Sequence, residues 1–353
     1  MNSEKLVEQD GEGQSEPGRP ARRGIWLMKP LAVVMSVCWV LALIVRLTIR
    51  DSGGTISTLI FYISPLIMTS AGAVFLSVLT LWIRWYRLAL IWLLMGALTG
   101  VWCYQKQFQK HHTANHVLEA DSMPIRVLFW NVGDQLWSIG NMVQEIKRVD
   151  ADLVALVEAE SYLSTEQEFW KNTFPGYRFQ TGKNGFMLLS RLPTTASEYG
   201  NFGRMGRYLK INLRADVSQS GASSISEAFV VYLVDINSDI LRSRKEALQK
   251  LAEEVAQEKE NPVLIVGDFN TPGDSVHFNP LRKLCRNSFE QAGEGYNATW
   301  PLPLPVLDLD AIWVNSLFQV RSSENRWTWY SDHRPVVADL LLQTTPASGK
   351  PAD

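Results

Sequence analysis

An aspartate and an asparagine two residues apart, Asp268 and Asn270, leave the end of the apolar run Val263-Leu-Ile-Val266. In an extended chain the period of two puts both side chains on one side. A carboxylate and an amide aimed together suit a small anionic group, or the water that attacks it. About sixty residues later Ser331-Asp332-His333 follows an aromatic stretch and precedes a second apolar run, Pro335-Val-Val-Ala338. An Asp-x-Asn alone is common in turns. Asp-x-Asn and Asp-His at the ends of two apolar strands of one domain is a far more specific signal.

The elements that must position these groups read as strands alternating with a few helices. Ile125–Trp130 is a strand ending in Asn131, and Asp152–Val157 is a second ending in Glu158. Gly185–Ser190 is a third, and Tyr208–Leu213 alternates like a half-exposed strand. Phe229–Val234 ends at Asp235-Ile-Asn237, and Leu309–Val314, which contains Asp310, and Pro335–Leu342 complete the set. Ile139, Met142, Val143 and Ile146 fall on one helical face, as do Leu248, Leu251 and Val255. This pattern predicts an α/β fold, a four-layered sandwich of two packed sheets flanked by helices. Strand ends then converge on one edge, where sites are built.

The polar residues at those ends are acidic and amide-rich, with one histidine and no cysteine. Hard oxygen donors without thiolates suit Mg²⁺ or Mn²⁺ and not structural zinc. A histidine with an Asp partner can polarise a phosphoryl oxygen, and an Asp can orient a water. These parts fit hydrolysis of a phosphate ester by in-line attack.

From Met123 to Leu342 the chain resembles the endonuclease/exonuclease/phosphatase superfamily, the DNase I-like proteins. The resemblance rests on six motifs in order: Leu128-Phe-Trp-Asn131, Asp152-Leu-Val-Ala-Leu-Val-Glu158, Gly185-Phe-Met-Leu-Leu-Ser-Arg191, Gly267-Asp-Phe-Asn270, Leu309-Asp310 and Ser331-Asp-His333. It implies that Glu158 holds the divalent cation with Asp332 close by, and that Asp268 orients or activates the attacking water. It further implies that Asn270 and Asn131 contact phosphate or order the acidic cluster, and that His333, oriented by Asp310, stabilises the phosphoryl oxygen. Many members of the superfamily carry a His on the strand before Gly-Asp-Phe-Asn. Tyr232-Leu-Val-Asp235-Ile-Asn237 has none, so Asp235 or Asn237 takes that place, as a substrate or second acidic metal contact. That departure points away from the nuclease branch.

The 353 residues carry a formal net charge of −2, but their apolar content is uneven. Pro30–Val45, Thr58–Ile83 and Leu88–Tyr104 are apolar runs, which predict three transmembrane helices anchoring the chain in a lipid bilayer. A cleaved leader is a poor alternative, because the first run starts late and two more follow. A buried soluble bundle is another poor one. Arg19, Arg22, Arg23 and Lys29 precede the first helix, and Arg84 and Arg87 lie between the second and third. Arg46 and Arg50, then Lys106 and Lys110, sit at the opposite ends. The bias favours a cytoplasmic N-terminus, which makes this a multi-pass integral membrane protein with its catalytic domain outside the cytoplasm.

The expected organisation is a disordered polar tail over 1–23, the transmembrane region over 24–106, a linker over 107–122, the catalytic domain over 123–343 and a flexible tail over 344–353. His111, His112 and His116 read as solvated linker residues. Of Cys38, Cys103 and Cys285 only the last falls in the soluble part, which therefore has no internal disulfide. From Asp121 onward 23 basic face 29 acidic side chains, a poor match to duplex DNA. Arg204, Arg207, Lys210 and Arg214 form the one concentrated basic stretch, read as a solvated strand edge. The expected activity is metal-dependent phosphoesterase, on a lipid headgroup, nucleotide or nucleic acid. A nuclease of the same superfamily, or a membrane-anchored binding module without turnover, is the alternative. A transporter is not indicated, since the apolar helices hold no charge in their interiors.

Overall fold

The structure is a computed structural model. It describes residues 21–109, 122–133, 138–159, 167–183, 185–218, 224–258 and 260–343. Most of the expected N-terminal tail, most of the linker with its three histidines, and the C-terminal tail lie outside the described residues.

Four helices come first: α1 (Ala21–Leu47), α2 (Thr55–Ile63), α3 (Leu66–Trp82) and α4 (Tyr86–Gln107). Met28–Leu47 and Tyr86–Gln107 are each long and apolar enough to cross a membrane. The second expected span is not one helix. It breaks between α2 and α3 with a bend of 71°. Ser64-Pro65 causes the break, because proline lacks the N–H for the helical ladder and disfavours helical backbone in the residue before it. The Trp39 indole donates to the Thr69 carbonyl at 2.7 Å and meets Trp92 edge-on at 5.0 Å, which ties α1 to α3 and α4.

The remaining chain forms two mixed sheets. One runs in the spatial order β1 (Phe108–Gln109), β11 (Gly293–Tyr296), β13 (Phe318–Asn325), β14 (Val336–Gln343), β2 (Ser122–Asn131), β3 (Leu153–Val157), β5 (Met187–Ser190), β4 (Arg178–Thr181). The other runs β10 (Arg286–Asn287), β12 (Asp310–Val314), β9 (Val263–Asp268), β8 (Ser224–Ile236), β7 (Gly206–Ser218), β6 (Thr194–Asn201). Helices α5 (Ile139–Val149), α6 (Gln167–Thr173), α7 (Lys245–Gln257), α8 (Asn279–Arg282) and α9 (Ser288–Ala292) lie among them in the chain. The expected linker begins as strand instead: Phe108 and Gln109 pair with Tyr296 and Gly295 directly after α4. The helical unit is thereby joined to the larger sheet without a spacer.

Strand alternation sorts the apolar residues into three cores. Ile125, Val127 and Phe129 of β2 meet Leu264 and Val266 of β9, and Ile312 and Val314 of β12, between the sheets. The alternate residues Leu128 and Trp130 pack outward with Met142 and Ile146 of α5. Val230, Tyr232 and Ile265 pack outward with Leu248, Leu251 and Val255 of α7. Both faces are covered, so the central strands read as unbroken apolar runs. Gly267 is demanded by packing: a Cβ there would lie 2.4 Å from the Val234 carbonyl oxygen of the adjacent strand.

Candidate active site

The inter-sheet core rows continue into the site. Two residues past Phe129, Leu233 and Val266, and two before Ile312, the inward positions are Asn131, Asp235, Asp268 and Asp310. Strand pairing sets Asp235 and Asp310 on either side of Asp268 in one sheet. Asn131 faces them from the other sheet, and its amide donates to Asp268 Oδ2 at 2.9 Å and to Glu158 Oε1 at 3.0 Å. One buried amide therefore links the carboxylates of β9 and of the β3 end.

Asp268 is 1% exposed. Its Oδ1 accepts the Asn270 backbone N–H at 2.8 Å, and its Oδ2 accepts the Asn270 side-chain amide at 3.1 Å. Asn270 also donates to the Ile236 carbonyl at 2.8 Å, which binds the ends of β8 and β9 together. Both Glu158 and Asn270 hold left-handed backbone, with φ of 53° and 44°. Such conformations cost free energy in non-glycine residues and persist where their surroundings impose them. Here they turn each side chain off the strand axis and into the cluster.

His333 Nδ1 lies 2.8 Å from Asp310 Oδ2, and its Nε2 lies 4.0 Å from Asp268 Oδ2. Burial opposes the imidazolium, but Asp310, and behind it Asp268 and Asp332, raise the His333 pKa to about 10. With Nδ1 protonated the ring donates to Asp310 and presents Nε2 to the site. Burial, then the Asp310 carboxylate, push the Asp268 acid well above the usual carboxylate range, while His333 pulls it back. The backbone of His333 is held by two groups to which the sequence reading gave no role, although both lie in its motifs. Its N–H donates to Ser331 Oγ at 3.0 Å, and its carbonyl accepts the Trp130 indole at 3.1 Å. Ser331 Oγ in turn donates to the Asn131 carbonyl at 2.8 Å. Asp332 Oδ2 accepts the Trp300 indole at 3.1 Å.

Asp268, Asp310 and His333 place one potential ligand atom each within 4.8 Å of one another. They are nevertheless a poor cage, because His333 Nδ1 is already engaged by Asp310. The donor set around them does fit a hard cation. Glu158, Asp235, Asp268, Asp310 and Asp332 stand against two directly paired cations, Arg207 and His333. The buried Asp310 Oδ1 has no hydrogen-bond partner among the described residues. Oxygen ligands in such excess suit a hard divalent cation.

Beside the cluster lies an open cleft of about 400 Å³ whose walls include Glu158, Asn201, Arg204, Arg207, Asn237 and Asn270. Asp235 also lines it and is paired with Arg207 at 2.8 Å. Asp235 is in register with Asp268 at the cluster, while Asn237 sits further out on the cleft wall. Arg204, exposed as the solvated-edge reading expects, and the half-buried Arg207 both line this cleft, because β7 starts at its mouth. Lys210 is engaged with Glu258 at 2.6 Å.

Two mixed sheets, packed face to face and gathering carboxylates, amides and one imidazole at a shared edge, place the chain among the DNase I-like α/β proteins. More narrowly, it belongs to the Endonuclease/Exonuclease/phosphatase family, whose sequence profile matches residues 128–333. A family member from Bacteroides thetaiotaomicron is similar in structure, with a TM-score of 0.51 and 14% identity over 63% of this chain and 99% of that one. A functionally unknown conserved protein from Enterococcus faecalis V583 gives a TM-score of 0.50 and 15% identity over 62% and 100%. A mannosyl-6-phosphatase from Bacteroides thetaiotaomicron VPI-5482 gives 0.47 and 15% over 61% and 99%. No curated protein matches the chain.

Proposed function

We propose that the protein is a membrane-anchored, divalent-metal-dependent phosphoesterase. The observation that carries this reading is the row Asp235–Asp268–Asp310 on adjacent strands, capped by the His333–Asp310 pair and bridged through Asn131 to Glu158. Glu158, with Asp332 close by, would hold Mg²⁺ or Mn²⁺, which supplies positive charge to the phosphoryl oxygens when bound. Asp268 orients the attacking water and accepts its proton, a task suited to a buried carboxyl with a raised pKa. His333 Nε2 donates to a phosphoryl oxygen as negative charge grows there. Asn131 and Asn270 fix the Asp268 carboxylate so that it does not reorganise during the reaction. The leaving group occupies the cleft, whose amides and guanidinium groups suit a polar moiety.

The test is hydrolysis of bis(p-nitrophenyl) phosphate by the purified full-length protein with and without Mg²⁺. Phosphomonoesters, nucleic acids and phospholipids form a second panel. Metal-dependent release of p-nitrophenol is expected. Tight binding of any of these without turnover would favour the binding module and overturn the enzyme.

The membrane part of the proposal rests on the two long apolar helices and the bent pair. Arg46 of α1 and Lys106 of α4 both line the junction with the catalytic domain. Arg84 and Arg87 sit instead at the α3–α4 turn. The basic residues before α1 and at the α3–α4 turn favour a cytoplasmic N-terminus, and three crossings from there would leave the catalytic domain on the far side. Alkaline phosphatase fused after Asp353 should therefore be active. An inactive fusion, alongside a fluorescent cytoplasmic reporter at the same point, would reverse the orientation.

A further inference from the structure

The turn that joins α1 to α2, together with α2, grips one loop of the catalytic domain. That loop, residues 270–276, begins at Asn270. The Tyr62 hydroxyl donates to the Asn270 carbonyl at 3.2 Å. Asp51, 2% exposed, accepts the Ser275 hydroxyl and the Val276 N–H. Arg46 donates to Asp274 Oδ2 at 2.6 Å and Arg50 to the Asp274 carbonyl at 2.9 Å. Arg46 also holds the Phe61 and Ser64 carbonyls at the α2 end, 3.1 and 3.0 Å away. The bend at Ser64-Pro65 lets α2 lie against the catalytic loop, where the buried Tyr62 reaches Asn270.

We propose that Tyr62, supported by Asp51 and Arg46, is a positioning residue of the catalytic centre, so that the helical unit is part of the enzyme's machinery as well as its anchor. Asn270 has left-handed backbone, yet its N–H and side chain both bond Asp268. That conformation needs an external hold, and Tyr62 supplies it at the Asn270 carbonyl. Rotation of the Asn270 peptide swings the amide away from Asp268 and frees the carboxylate to reorient. The consequence is a slower chemical step with substrate binding changed much less, because most of the cleft wall, including Asn201, Arg204 and Asn237, stays in place.

This inference rests on the phosphoesterase reading for its kinetic arm, and the experiment separates the two. Full-length protein in detergent micelles is assayed on bis(p-nitrophenyl) phosphate with Mg²⁺. Tyr62→Phe should lower kcat by about three- to tenfold, the loss of one hydrogen bond, with KM nearly constant. In an Asn270→Ala background the same change should have a clearly smaller effect, since the side-chain amide that it positions is gone and only the backbone N–H contact to Asp268 remains. Equal losses in both backgrounds, or none in either, overturn the proposal. Hydrogen exchange is measured on the same samples. Asp51→Asn should speed exchange at Val276, and Tyr62→Phe should speed it across the loop. A wild type that turns over nothing defeats the phosphoesterase reading, while exchange still decides whether α2 orders the loop; unchanged exchange in both variants overturns the positioning role.

Discussion

His333→Ala should lower turnover of a phosphodiester by the roughly two to four kcal/mol typical of a lost catalytic stabiliser, a factor on the order of thirty to a thousand. Asp310→Asn should cost less, because Asp310 acts through the ring it orients and does not itself meet the substrate. The 2.8 Å contact to Nδ1 is replaced by a neutral amide, which removes the charge that keeps His333 protonated. The double substitution should then cost little more than His333→Ala alone, since groups working as a unit are not additive. Additive losses would mean that Asp310 serves the reaction independently of His333. Near-normal rates for Asp310→Asn would reduce it to a buried strand-start residue. Thermal melts on all four proteins separate these outcomes from unfolding, which matters because Asp310 is 5% exposed and pairs across β9.

Glu158→Gln should reduce Mg²⁺-dependent activity by on the order of a hundredfold or more through loss of metal-assisted charge stabilisation. The substitution keeps length, shape and an oxygen that can still accept the Asn131 amide, now 3.0 Å from Oε1. It removes the full negative charge that a hard cation requires. The melting temperature should stay close to that of the wild type, because Glu158 lies at the cleft surface and not in a core cluster. Mg²⁺ titration of activity should show a weaker half-saturation in the variant. Unaltered turnover and metal affinity would remove Glu158 from the metal site and shift attention to Asp235 and Asp332.

Much of the site was legible in the chain because one rule, the strand period of two, writes it down. Asn131, Asp235, Asp268 and Asp310 each continue a row of inward apolar residues past the end of a core, so the sequence marks them as polar where the pattern demands burial. The edge strands were harder. Thr194–Asn201 is mostly exposed and Arg178–Thr181 half so, and neither shows the apolar bias by which a strand is recognised. Ser331, Trp130 and Trp300 carried no chemical signal of their own. Their roles are to hold the backbone of His333 and the carboxylate of Asp332, which only contact reveals. The bend at Ser64-Pro65 was written in the sequence, although it was masked by the absence of charge over the whole run.

The sequence by itself determined which residues end strands, which faces are apolar, and that an acidic, amide-rich, thiol-free set stands at one edge. These follow from local periodicity and side-chain chemistry, which need no knowledge of distant neighbours. Register was decided only by tertiary structure. Asp268 lies between Asp235 and Asp310 because three strands far apart in the chain align residue for residue, and a shift of one would turn each carboxylate into the opposite layer. The seating of α2 on the loop after Asn270 was decided there too. Hydropathy reports the environment a segment tolerates, whereas the bonds from Arg46, Asp51 and Tyr62 to residues more than two hundred positions away depend on where the whole fold brings that loop.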